Sequence, residues 1–481
     1  MNCNLAGKLQ RRDRAEAVIT VFLSLILAVL LSLIGAVISS IRYSVARART
    51  EMVMNMGLMS IFAEYNRELL DQYDLYFIDT SYGSGKPSIA AATEHLKDYM
   101  AFNCSPSKNL MLFNVSDMAG LSVDDAHIDL WSYATDQGGR VFKRQAIHSI
   151  KDRYGLSIID GLKENLEEYN NSGISEEDVD KKRAEIEAEL SGEDMSLGGN
   201  PVQSVFDKRP GILNLILNSG MECSDKELKL DGLTSYRDNQ SGIGVVRPDE
   251  DPDSFVNELL FNEYLSWKMS CYTDKKKDGP CSYELEYILS GENTDRANLR
   301  GAVKAILIMR EAADTIAVLN DKGKKAQANT LGFVISLLLL SPDLAEAIGT
   351  MILLAWGFAE AVMDVRALLS GERVPLLKGE DNWQLTSIGD LFFFLSKKPK
   401  KCDKGLSYKD YLKLQLALKN STDKVSRALD VIEMNLRETE GNGGFRMDGC
   451  VDYMQAEAAL VSSYGFEFTI RREFAYEEIV Q

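Results

Sequence analysis

The sequence predicts an α+β protein built on one long N-terminal helix, with a mostly helical body and a small antiparallel sheet. Three observations predict it. An uncharged run of 25 residues, Ala17–Ile41, continues without proline into an amphipathic stretch that reaches Tyr73. Most of the chain beyond it carries apolar residues at three- and four-residue spacing, as in Asp295–Asn320 and Thr422–Arg437. From Val451 the pattern alternates instead, with Phe466, Phe468 and Ile470 on one face of a hairpin.

Taken in order, residues 1–16 form a short basic head and residues 17–41 a transmembrane helix. As a helix that run is about 37 Å long, enough to cross a bilayer core of about 30 Å. A cleaved signal has an apolar region of only about 7–15 residues, so this one reads as a retained anchor. Lys8, Arg11, Arg12 and Arg14 precede the run, and Arg42, Arg47 and Arg49 follow it. That excess, with the long acidic tail, places the N-terminus in the cytoplasm and the C-terminal domain outside the cell. Ser24, Ala28, Ser32, Gly35 and Ser39 line one stripe of the helix. Small residues let helix backbones approach closely in lipid, so the stripe is a candidate face for helix–helix contact. Residues 42–73 extend the helix as an amphipathic spine, on which Val45, Ala48, Met52, Met56, Met59, Phe62 and Leu69 keep a near-3.5-residue rhythm.

Residues 74–170 read as an α/β segment. Strands are expected at Leu75–Ile78, Leu110–Val115 and Val123–Leu130, and helices at Ile89–Phe102 and Val141–Glu168. Residues 171–210 hold a charged helix (Ser175–Leu190) and a Gly/Pro-rich linker. Residues 211–450 are the main helical body, with helices at Ser254–Tyr272, Asp295–Asn320, Tyr408–Leu418 and Thr422–Arg437. Within it, the apolar runs Leu331–Leu340 and Ala347–Ala359 are short for spanning a membrane and are broken by Pro342, Asp343 and Glu346. They read as a buried helical hairpin within residues 326–369. Residues 451–481 form the C-terminal β-hairpin, expected to pair with the early strands and so join both ends of the body.

The chain carries a net charge of −18. Its first fifty residues are basic, with seven lysines and arginines against two carboxylates, so the rest is strongly acidic. Such a body repels a phosphate backbone, which disfavours nucleic acid as a partner. Six of the seven cysteines follow the apolar run; Cys271 and Cys281, flanking a Lys-Lys-Lys-Asp-Gly-Pro turn, are the candidate disulfide, although spacing leaves the connectivity open.

No chemical motif is complete. His127 with Asp125 and Asp129 shares one face of a predicted strand, which explains their alternation without a metal. Asp249–Asp253 opens like a calcium loop but has Ser254 and Leu260 where glycine and glutamate belong. Ser105–Lys108 and Ser421–Lys424 both match S-x-x-K, and neither companion motif of that class is present. Gly83-Ser84-Gly85-Lys86 lacks the first glycine of a phosphate loop and is followed by Pro87. Phe392–Phe394 beside Lys397, Lys398, Lys400 and Lys401 reads as a core helix ending in a solvated loop, with contact to anionic lipid as the other reading. No catalytic, cofactor or metal site is expected.

Three N-terminal blocks, Ala17–Ser24, Tyr43–Arg49 and Phe62–Leu70, resemble an uncharacterised Gram-positive (Firmicutes) membrane-anchored family encoded in Tad/Flp pilus loci, with a TadE/TadG-like pseudopilin N-terminus. Tyr283–Leu289, Val374–Lys378 with Trp383–Leu385, and Gly405–Leu412 are similar to the same family, so the resemblance spans nearly the whole chain. It implies a non-enzymatic envelope component of the pilus or secretion assembly, with other Tad-locus envelope proteins, or a second copy through the transmembrane helix, as partners. One departure matters. Prepilins carry a glutamate five positions into the mature chain, and counting from Ala17 that position is Phe22. The pattern therefore argues against prepilin processing and filament polymerisation. Two other readings stay open: an external binding or sensing domain for a ligand or wall polymer, and, less favoured, an extracytoplasmic hydrolase.

Overall fold

A computed structural model describes residues 3–104, 119–173, 181, 212–217, 221–243, 253–275 and 279–476, with side chains from residue 18 onward. The predicted strand Leu110–Val115, nearly all of the charged helix Ser175–Leu190, and the linker 191–210 lie outside these residues.

Helix α1 (Cys3–Phe62) is unbroken for 60 residues, about 90 Å at 1.5 Å per residue. Every residue from 18 to 41 is exposed. Past Arg42 the same helix buries a face carrying Ala46, Thr50, Val53, Gly57 and Ile61. Small residues suit that face. Helix α2 (Arg67–Tyr73) follows, and α3 (Ile89–Cys104) lies so close to α1 that a methyl group at Gly57 would meet Met100 Cγ at 2.8 Å. The methionines of the predicted spine rhythm point the other way, with Met52, Met56 and Met59 at 60%, 42% and 57% exposure. The spine also ends short of the expected Tyr73. Asn66 accepts a hydrogen bond from Leu69 N at 3.1 Å and so caps α2 as a separate helix, the role an asparagine side chain favours over a helix interior.

The sheet has four antiparallel strands: β1 (Ile78–Asp79), β2 (Leu121–Tyr133), β3 (Cys450–Ser462) and β4 (Glu467–Ala475). Central β3 takes β2 along one edge, with Leu121 opposite Ser462, while β1 and β4 share the other edge. The two ends of the body do meet here. The expected strand at Leu75–Ile78 shrinks to two residues because Leu75 and Phe77 are drawn into the helical core, both fully buried. Strand β2 alternates as its sequence implies, with Ala126 and Ile128 inward and His127 outward.

The remaining described helices are α4 (Asp136–Tyr154), α5 (Asp160–Asn171), α6 (Ile212–Ile216), α7 (Phe255–Lys268), α8 (Glu284–Ser290), α9 (Asp295–Asn320), α10 (Lys322–Leu338), α11 (Ala345–Leu369), α12 (Ile388–Phe393), α13 (Tyr408–Leu418) and α14 (Ser421–Arg437). The single helix expected over Val141–Glu168 is cut at Gly155, whose φ of +69° a side-chain-bearing residue rarely adopts. Helix α11 is the axis of the body, buried along nearly its whole length between α9 and α10. The hairpin α10–α11 forms as expected. Its helices cross at two glycines, where a methyl group on Gly332 would stand 2.7 Å from Gly349 N.

Two apolar cores result. A large one fills the helical body, and a smaller one lies between α1, α3 and the sheet. Strand β3 links them, with Cys450 in the first and Val451 in the second.

Candidate functional site

The most extensive candidate is the apolar half of α1. Two helices among the described residues are long and apolar enough to cross a bilayer, within Val18–Phe62 and Pro342–Leu369, and the second is 94% buried inside the body. On α1 the small-residue stripe is open: a methyl group added at Gly35 would meet nothing within 4 Å. Its hydroxyls are satisfied by their own helix, Ser24 Oγ donating to Val21 O at 2.8 Å and Ser32 Oγ to Ala28 O at 2.9 Å. Ala28 and Ser39 are exposed beside them. Rather more than a quarter turn around the helix, a stripe of larger residues continues past the end of the uncharged segment. Ile34, Ile38, Ile41, Val45, Met52 and Met56 are all exposed on it.

Where the uncharged run ends, the body grips the helix with aromatic rings. Tyr43 meets Phe466 edge-on at 5.4 Å and Phe468 at 5.5 Å, and the Arg42 guanidinium stacks over Tyr464 at 4.2 Å. Aromatic rings and arginines of this kind favour the boundary between lipid and water.

A second candidate is a cluster of five ionisable side chains inside the body. Arg310 and Asp314 from α9, Glu360 and Asp364 from α11, and Lys378 from the following loop are all buried. Arg310 reaches Asp364 at 2.9 Å and the carbonyl of Leu376 at 2.6 Å. Lys378 pairs with Glu360 and reaches Asp364 at 2.8 Å. Glu360 also accepts from the backbone N–H groups of Gln384 and Leu385. Three carboxylates face two cations. Burial pushes the Asp314 carboxyl well above its usual range and raises Glu360 as well, against the pull of Lys378 on both and of Arg310 on Asp314. Tyr411, its ring buried against the same groups, is pushed up to about 12. Such a cluster fixes α9, α11 and the loop in one register, and its burial leaves it no face for a substrate.

The predicted motifs resolve into ordinary structure. His127 Nε2 lies 3.0 Å from Asp129, but Lys97 takes Asp125 at 2.8 Å and Arg471 approaches Asp129. Among the described residues no three His, Cys, Asp or Glu side chains are placed to hold a metal. Ser421 Oγ accepts from Lys143 Nζ at 3.0 Å, yet that ammonium also donates to Asp253 and Glu258, so its donors are already committed. Asp253 is thus part of an ion-pair network, and Asp249–Pro252 and Ser105–Lys108 lie outside the described residues. Gly83–Lys86 is a turn whose Gly85 rests against Gly444.

Two expectations are corrected. Cys271 and Cys281 are separate buried thiols: Cys271 Sγ sits 3.4 Å from Thr273 Oγ1, while Cys281 Sγ points 3.7 Å from Asp295 Oδ1. Residues 271–274 form a tight turn of their own, in which Cys271 and Asp274 each donate a backbone N–H to the other's carbonyl. The Phe392–Phe394 run is only partly core, since Phe394 is buried while Phe392 and Phe393 are 62% and 68% exposed. Helix α12 has just six residues, so one inward position uses up its apolar face.

The sequence reading missed the five-charge cluster and the exposed side of α10. Glu360 and Asp364 stand four apart just beyond an uncharged run, which puts two carboxylates on one side of a core helix; that spacing was the available signal.

The body also carries clefts. One of 330 Å³ is lined by Tyr76, Gln145, His148, Asp152, Arg153 and Tyr476; another of 570 Å³ lies among Tyr169, Leu289, Glu292, Met309, Gln415 and Lys419. In the first, His148 pairs with Asp152 at 2.9 Å and Gln145 exchanges two hydrogen bonds with the Tyr76 backbone.

Comparison with curated proteins and with solved structures finds no match. Residues 194–462, from the stretch before α6 to the end of β3, match the model of DUF5702, and the chain belongs to this family of unknown function.

Proposed function

We propose that the protein is a non-enzymatic, single-pass membrane component of a Tad/Flp-type pilus or secretion assembly, TadE/TadG-like at its N-terminus. The N-terminus is cytoplasmic and the acidic body extracellular. One observation carries the reading. A single unbroken helix exposes 24 consecutive residues on every side (residues 18–41) and then serves as a buried wall of the folded body. Such a helix ties the body rigidly to the bilayer, because helix and body share a core with no linker between them. The similarity of the N-terminal blocks to pilus-locus proteins supports the assembly role, with other envelope proteins of such a locus or a second copy as partners.

Capture of the full chain from detergent tests this. The parent should retain envelope partners, and Ser32→Leu or Gly35→Leu should lose them. Neither substitution disturbs the chain itself, because the stripe is open. Unchanged association in both variants contradicts a role for that face. An external binding domain is the second reading, supported by the 570 Å³ cleft, and saturable uptake of a wall fragment there would favour it.

A further inference from the structure

Exposed positions on α1 repeat at alternating steps of four and three across the end of the uncharged run. Leu27, Leu31, Ile34, Ile38 and Ile41 lie within that run. Val45, Ala48, Met52, Asn55 and Met59 continue the series beside the body, without a missed step. This is the spacing of residues that meet across two helices wound left-handed about each other. Packed membrane helices mostly share that hand, so one geometry serves both halves of the seam.

Neither lipid nor the body covers the second half. Met59 lies 18 positions beyond Ile41, about 27 Å along the axis, out of reach of a bilayer that solvates the first half. The body packs across the helix, on Ala46, Val53 and Gly57, and leaves Met52 and Met59 60% and 57% exposed. The width of the seam is set as well. On one flank Arg49 donates to the carbonyl of Asn103 at 3.4 Å, and on the other Glu51 lies 3.8 Å from Arg472. With both flanks held against the body, the seam has room for one helix.

We propose that α1 pairs with α1 of a second copy, parallel and in register, from Leu27 to Met59. The membrane selects this partner. Copies inserted in one direction through one bilayer are parallel, and each seam residue stands level with its own counterpart. The seam then closes on itself, an isologous contact. Asn55 fits such a pair, because an amide carries both donors and an acceptor and two amides at one level satisfy each other. An apolar partner helix would bury Asn55 unpaired, at a cost. One polar residue in such a core also fixes the register. The contact runs about 48 Å, and sharing a bilayer raises the effective concentration of the copies. The pairing deepens the assembly reading, rests on α1 crossing the bilayer, and uses a face other than the small-residue stripe.

Thiol cross-linking in membranes of cells expressing the full chain tests it, because every copy there has one orientation. The background carries Cys3→Ser, Cys223→Ser and Cys402→Ser, so that the added cysteine reacts alone. Met52→Cys and Met59→Cys should each give a cross-linked dimer, and Arg47→Cys, exposed off the seam, should not. Adding Met52→Glu or Met52→Lys should abolish the Met59→Cys dimer, and co-expressing those two chains should restore it, since opposite charges then stand level. Ser32→Leu should leave it unchanged. Met52 is exposed, and circular dichroism of the purified variants verifies that each is folded. Alkaline extraction separates the two readings. A chain that stays in the pellet but cross-links without regard to the seam, ignores the charge at position 52, or joins only a different protein overturns the pairing alone. Loss of the dimer on Ser32→Leu overturns it too, by moving the contact to the other stripe. A chain released to the supernatant overturns the anchor and the pairing together.

Discussion

Tyr408 donates its phenol O–H to Glu286 Oε1 at 2.9 Å, while Glu286 Oε2, equally enclosed, has no hydrogen-bond partner. The backbone N–H of Tyr272 also donates to Oε1, at 2.8 Å. Burial pushes the Glu286 carboxyl up to about 7, and the unpartnered oxygen is where the retained proton belongs.

The sign of the pH effect follows. In the unfolded chain this carboxyl ionises near its ordinary 4.5. Between that value and about 7 the unfolded state is ionised and the folded state is not, so its contribution is fully present below 4.5 and is lost as pH rises through 7. Glu286→Gln keeps the Oε1 acceptor and removes the titration. It should raise Tm at pH 8 relative to the parent but not at pH 4.5, with a difference of roughly 2–3 kcal/mol between the two pH values. Equal effects at both would show that Glu286 is ionised in the fold.

The five-charge cluster should resist single truncation poorly. Asp364→Ala leaves Arg310 and Lys378 short of their shared carboxylate, and a buried cation without its partner costs about 3–5 kcal/mol. Denaturant titration of the variant should show that loss, and Lys378→Met should show a loss of similar size. A cost under about 1 kcal/mol for both would mean that water reaches the cluster.

Glycines distinguish close helix crossings from free positions. Gly332→Ala places a methyl group 2.7 Å from backbone atoms of α11, which neither helix can yield without separating, and should destabilise by about 1–3 kcal/mol. Gly161→Ala in α5 meets nothing within 4 Å and should stabilise by up to about 1 kcal/mol. Paired thermal melts report both.

Cysteine reactivity provides a further test. Cys402 and Cys223 are partly exposed, whereas Cys271, Cys281 and Cys450 are buried with their thiols pushed up by burial. A thiol reagent should modify Cys402 first and reach Cys271 and Cys281 only on unfolding, without reductant. Failure of those two to react after unfolding would indicate that they are joined.

Elements with a complete local signal were legible in the sequence. Asp295–Asn320 and Tyr408–Leu418 match the structure residue for residue, because each begins with a Thr or Ser cap and keeps a helical apolar rhythm. The β-hairpin was legible through its alternation. Choosing between two apolar stripes on α1 was harder. The body covers the stripe with Ala46 and Gly57, where α3 can approach, and leaves the larger methionines outside. Hydrophobicity alone favours the methionines; closeness of approach decides otherwise. Long-range charge partners such as Lys378 and Glu360 were illegible for the same reason, since which cation meets which carboxylate depends on how α9, α11 and the loop pack.

The claim on which everything turns is that lipid solvates the uncharged half of α1. Alkaline extraction of membranes from cells expressing the full chain measures it directly. The account predicts that the intact protein stays in the pellet, and that replacing Leu27, Leu31 and Ile34 together with arginine releases it. Recovery of the unaltered, full-length chain in the supernatant would contradict it.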